Sequence, residues 1–159
     1  MLKENQLNPF LEKLRFHDGE GVDLENLEAY ILHLAEEQQI PLASKDDTIK
    51  GAGLLNRETF PCIVFYHPEH ENDYYKFVIQ LKRQGKYAFM YSYYTGQSKQ
   101  LQTLDKIDRY RNQRAKSQDI ENVAKAWIKE KITSLGTNKQ RVEDEKNYYA
   151  CIKLIFDEL

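Results

Sequence analysis

The chain has 159 residues, 41% hydrophobic and 30% charged, with 23 Lys+Arg against 25 Asp+Glu and a formal net charge of -2. Seven Gly and four Pro exclude collagen-like, mucin-like and flexible multidomain classes and leave little turn chemistry for an all-β sandwich, so one α+β domain over 1–159 is expected. No apolar run approaches the roughly 20 residues that cross a bilayer, MLKENQLNPF lacks the apolar core of a secretory signal, and Cys62 and Cys151 form no CxxC pair. The expectations are no membrane association, a cytoplasmic location and reduced thiols.

Along the chain, Asn8 and Pro9 read as a helix start, cap followed by N1, with Phe10, Leu11 and Leu14 at helical spacing before Gly19 and Gly21. Asp23 caps a stronger helix in which Leu24, Leu27, Ile31, Leu34 and Ala35 recur every three or four residues until Pro41. Residues 43–60 show no period and read as a loop with a short strand near Leu54. Cys62 to Tyr66, bounded by Pro61 and Pro68, is a β-branched and aromatic run and reads as a strand. Tyr74 to Lys82 and Tyr87 to Tyr94 both alternate with the period-2 signature of half-exposed strands.

The turn between these two strands decides which face carries Tyr87, Phe89, Tyr91 and Tyr93. A two-residue Gln84-Gly85 loop would set the rings beside Lys76, Val78, Gln80 and Lys82. A three-residue Arg83-Gln84-Gly85 loop, a type I turn closed by Gly as a G1 bulge, would pair Leu81 with Tyr87 and Ile79 with Phe89, moving every ring to the apolar face. Gln is a poor residue for a position needing φ > 0, so the three-residue loop is expected and the rings read as core.

From Ser98 to Arg114 the apolar spacing suits a short helix or 3₁₀ stretch. Ser117 or Asp119 then caps a helix carrying Ile120, Val123, Ala124, Trp127, Ile128, Ile132 and Leu135 up to Gly136, and a last helix runs from about Asn138 to the end. The expected fold is therefore α+β: a small three- or four-stranded antiparallel meander within 54–95, packed against N-terminal helices within 9–40 and C-terminal helices within 99–159.

The balanced charge hides a segregation: residues 1–73 carry a net -9, residues 74–116 a net +8 and residues 117–159 a net -1. The basic middle holds nine aromatic residues, the composition single-stranded nucleic-acid binders use, with cations for phosphates and rings for bases. Its candidate binding residues are Lys82, Arg83, Lys86, Lys99, Lys106, Arg109, Arg111 and Arg114. A pI near 6.1 lies well below that of dedicated nucleic-acid domains, so the leading expectation is a non-enzymatic binding module whose charge asymmetry meets a protein partner or a second copy of itself. Single-stranded nucleic-acid binding through 74–116 is the alternative. A metal-dependent enzyme around His67 and His70 comes third: two imidazoles and three carboxylates fall within His67–Asp73, but Pro68 breaks helical spacing and no zinc signature is matched. No nucleophile elbow, phosphate-binding loop or dinucleotide fingerprint is present in the sequence, so no cofactor is expected.

Overall fold

In the computed structural model, which describes residues 1–52, 58–98 and 139–159, the strands β1 (Leu2–Lys3), β2 (Asn8–Pro9) and β3 (Leu14–Phe16) precede the helix α1 (Leu24–Glu37). The strands β4 (Ala43–Lys50), β5 (Thr59–Tyr66), β6 (Lys76–Gln84) and β7 (Tyr87–Thr95) follow, and the helix α2 spans Lys139–Asp157. The chain divides into two compact units, Met1–Gln97 with Ile152–Leu159, and Ser98–Cys151. In the second, Val142, Glu145 and Tyr148 of α2 are buried, and the Tyr149 hydroxyl donates to the Glu145 carboxylate. The helices expected between 99 and 136 lie outside the described residues.

The sheet of the first unit corrects the expected meander. Seven strands join in one curled, mixed sheet of order β1-β4-β5-β6-β7-β2, with β3 also on β7, and β1 runs parallel to β4. Its curl follows from chain length. In a flat sheet β1 and β2 would stand about 24 Å apart, five strand spacings, whereas the five residue steps from Lys3 to Asn8 reach at most about 17 Å. The segment therefore straps one face of a bent sheet, and Leu2 and Leu7 pack there on Ile49, Cys62, Val64 and Val78.

Two local expectations fail for identifiable reasons. The helix read at Asn8–Leu14 is absent: Asn8 and Pro9 pair with Tyr94 and Tyr93, and the Phe10 and Leu11 amides donate to the Ser92 carbonyl and Oγ. A helix this short is marginal without a packed face, whereas the extended form puts the Phe10 ring 4.8 Å from that of Phe77. Residues 43–50, read as loop, pair along their whole length with β5. Lying near the sheet edge, β4 buries only Ile49, so it carries polar side chains on both faces and shows no alternation.

The signals read for α1 hold. The Asp23 side chain accepts from the Asn26 amide at 2.7 Å, and Leu27, Ile31, Leu34 and Ala35 are buried as their spacing requires. The helix closes with Gln39 at φ +55°, its amide donating to the Glu36 carbonyl and that of Ile40 to Ala35, a Schellman pattern.

Helices cover the sheet face that bears Ile63, Phe65, Phe77, Ile79, Ala88 and Met90, all buried. Phe156 of α2 meets Phe65 and Phe10 edge-on at 6.0 and 5.6 Å. The Arg83 guanidinium donates to the Gly19 and Val22 carbonyls, tying the 3₁₀ turn before α1 to the end of β6. Gly19 sits so close to β7 that an added Cβ would lie 2.6 Å from the Ala88 Cβ and 2.7 Å from its amide nitrogen. Since backbone would have to move, Gly19→Ala is expected to cost about 1–3 kcal/mol, read as a lowered denaturant midpoint; an unchanged midpoint would show that this turn adjusts freely.

Candidate functional site

The hairpin overturns the expected register. Gln84 pairs with Tyr87 and Lys82 with Phe89, leaving Gly85-Lys86 as a two-residue loop. Gly85 has φ +59° and Lys86 does not share the positive φ, the arrangement of a loop with Gly first. Neither loop considered from the sequence placed Gly at that position. The consequence is a change of face: Tyr87, Phe89, Tyr91 and Tyr93 lie opposite Gln84, Lys82, Gln80 and Val78, while Ala88, Met90 and Ser92, all buried, turn toward the helices. The rings are not the helix-covered core.

At its strapped end this ring-bearing face holds a buried apolar cluster. Tyr93, Leu2 and Leu7 all pack, partly buried, on the cluster of Val78, Val64, Cys62 and Ile49; burial, then Tyr91, hold the Tyr93 phenol above the usual range. Burial likewise pushes the Cys62 thiol up to about 12, so it is a neutral core group and not a nucleophile. Toward the hairpin the face opens. Tyr87 is 44% exposed, and Phe60, Phe89 and Tyr91 are half-buried.

Lysines lie over these rings. Lys82 Nζ stands 5.1 Å from the Tyr91 centroid and 5.5 Å from that of Phe60. Lys13 Nζ stands 5.1 Å from Phe89 and 5.7 Å from Tyr91. Arg15 is the strand partner of Phe89, and His17 meets Tyr87 edge-on at 5.8 Å. Four aromatic side chains and three permanent cations thus share one open patch, with Tyr91 approached by two ammonium groups.

Of the basic residues singled out in the sequence, Lys82 belongs to this patch and Lys86 to the turn at its rim. Arg83 faces the other way, committed to the Gly19 and Val22 carbonyls. Lys99, Lys106, Arg109, Arg111 and Arg114 lie outside the described residues. Lys13, Arg15 and Phe60 went unnoticed because they belong to the acidic third. A signal existed: Lys13, Arg15 and His17 alternate with Leu14 and Phe16, the pattern of a strand with one basic face.

The His67–Asp73 loop is organised around a ring instead. His70 stacks on Tyr74 at 4.4 Å, His67 meets Tyr74 edge-on at 5.4 Å, and the two imidazoles are 4.7 Å apart. The Glu69 amide donates to His67 Nδ1, and burial followed by His70 lowers the pKa of His67, both favouring its neutral form. Among the described residues no group of three or more His, Cys, Asp or Glu side chains is gathered for a metal ion. None of the described helices is long and apolar enough to cross a membrane.

Glu71 of the same loop accepts from Lys45 at 2.6 Å and Lys76 at 3.2 Å. These bonds, Lys45 first, hold its carboxyl below the ordinary 4.5. A folded-state pKa below the unfolded one contributes stability above the ordinary value and loses it as the pH falls through the folded value. Stability is therefore expected to fall on acidification below about pH 4.5. Urea midpoints for Glu71→Gln should drop less between pH 6 and 3 than those of the parent; parallel curves would remove Glu71 from the acid response.

Comparison with models of protein families, with curated proteins and with solved structures gives no match to this chain.

Proposed function

We propose that the open patch of Phe60, Tyr87, Phe89 and Tyr91 with Lys13, Arg15 and Lys82 binds single-stranded nucleic acid. The observation that carries this reading is the hairpin register, which sets the β7 rings on the same face as Lys82 and beneath Lys13. Bases present π-faces to rings regardless of sequence, and cations beside the rings meet phosphates; the combination is what non-specific single-strand binding needs. Net charge opposes the reading only weakly. Long-range repulsion from the chain's -2 is screened beyond about 8–10 Å at physiological salt, whereas the patch charges act at contact.

The expectation of a protein partner or self-association rested on the segregated charge. Part of that charge is satisfied within the chain, as in the Lys45–Glu71 and Lys76–Glu71 pairs and the Met1 ammonium on Asp47. Ring placement adds nothing specific to it.

Fluorescence anisotropy of labelled dT12 and rU12 against the purified chain tests the proposal, the two arms separating DNA from RNA. Binding should weaken with salt at a log–log slope of about -2 or steeper for three phosphates neutralised on a single strand. A flat titration at low salt would end the reading. If light scattering then showed salt-sensitive dimers, the self-association reading would replace it.

A further inference from the structure

The geometry of the patch points to an unstacked single strand laid along β7, three bases long, with one base each on Tyr87, Phe89 and Tyr91; this inference rests on the nucleic-acid reading above. Rings at alternate positions of a strand recur every two residues, about 6.8 Å, and the Tyr87 and Phe89 centroids are 6.4 Å apart. A helically stacked strand presents a base about every 3.4 Å. The protein's step is therefore twice that of a stacked strand, and bases can meet successive rings only once they are pulled apart.

Both ends of the ladder are closed by the fold. Beyond Tyr87 the chain turns at Gly85-Lys86. Beyond Tyr91 the next ring, Tyr93, is packed against the buried cluster of Ile49, Cys62, Val64 and Val78, which Leu2 and Leu7 of the N-terminal strap also cover. Cations flank the row on each side, Lys13 and Arg15 from the β3 side and Lys82 from β6, where the backbone of an extended strand would run. Duplex ends and stacked purine runs do not offer bases at this spacing.

A length series of labelled oligo(dT) and oligo(dA), from two to twelve nucleotides at fixed low salt, tests this. For oligo(dT), affinity should climb steeply to three nucleotides and then only with the number of registers available. Oligo(dA) must be unstacked first, and dA12 should bind at least about fivefold more weakly than dT12, the equivalent of one base contact at the low end of its range. Tyr87→Ala, at an exposed position beside the turn, should bring the steep phase to an end at two nucleotides. Equal binding of dA12 and dT12, or an even climb to twelve, would overturn the inference while leaving single-strand binding intact. No binding of any oligonucleotide would end both.

Discussion

Replacing Phe156 by alanine is expected to lower the free energy of unfolding by about 3–5 kcal/mol, the range for deleting a buried aromatic side chain. Phe156 is 1% exposed and meets three rings from three different parts of the chain: Phe10 at 5.6 Å, Phe65 at 6.0 Å and Phe77 at 6.3 Å. These neighbours belong to the chain entering β3, to β5 and to β6, so none can close the void without shifting a strand. Net stabilities of small domains are about 5–15 kcal/mol, which makes the loss a large fraction of the whole. Leu154, two residues away and 59% exposed, supplies the control: Leu154→Ala should stay within about 0.5 kcal/mol. Denaturant unfolding followed by circular dichroism compares the two. Equal, small effects would mean that the last turns of α2 do not belong to the core of the first unit.

The second large effect concerns binding. Tyr91→Ala should weaken oligo(dT) binding about 5- to 150-fold, the loss of one base–aromatic stack worth about 1–3 kcal/mol, while Tyr91→Phe should bind like the parent. Lys82→Gln should behave differently because its ammonium has two roles. It attracts phosphate, so its loss should reduce the salt slope by about 0.7. It also sits over Tyr91 and Phe60 at 5.1 and 5.5 Å, where a base would have to displace it. At high salt, with the attraction screened, the variant should therefore bind no more weakly than the parent. Anisotropy titrations between 25 and 400 mM salt would show the two curves converging or crossing. Parallel curves would show that Lys82 meets no phosphate, a variant still weaker at 400 mM would show that Lys82 does not cap the rings that take the bases, and unchanged binding by Tyr91→Ala would remove β7 from the site.

Signals that act over a few residues were legible in the chain. The Asp23 cap, the three-and-four spacing of Leu27, Ile31, Leu34 and Ala35, the β-branched run at Cys62–Tyr66 and the alternation of β6 and β7 all describe elements that form. However, β5 starts earlier than read, at Thr59 and through Pro61, and β6 starts at Lys76 and is buried on both faces from Phe77 to Gln80 instead of half-exposed. The binding candidates were partly legible. Lys82 and the Tyr-rich strand stood out by composition, but Arg83 did not reveal that its donors would be spent on the Gly19 and Val22 carbonyls. Lys13, Arg15 and Phe60 are far from β7 in sequence, and only the pairing of β3 with β7 and of β5 with β6 gathers them around it.

Local chemistry alone accounts for α1 with its cap, the apolar β5 strand, the two alternating strands and the segregation of basic charge with aromatic rings. Long-range pairing and packing set the rest. They made strands of Asn8–Pro9 and Ala43–Lys50, whose hydrogen bonds depend on distant partners, and they chose the face on which the rings lie. That choice turned on Gly85 coming first in the loop. In an antiparallel pair a shift of one residue exchanges the two faces completely, and the competition between them is settled by what packs on each: buried Ala88, Met90 and Ser92 beneath the helices, and rings with lysines on the open side.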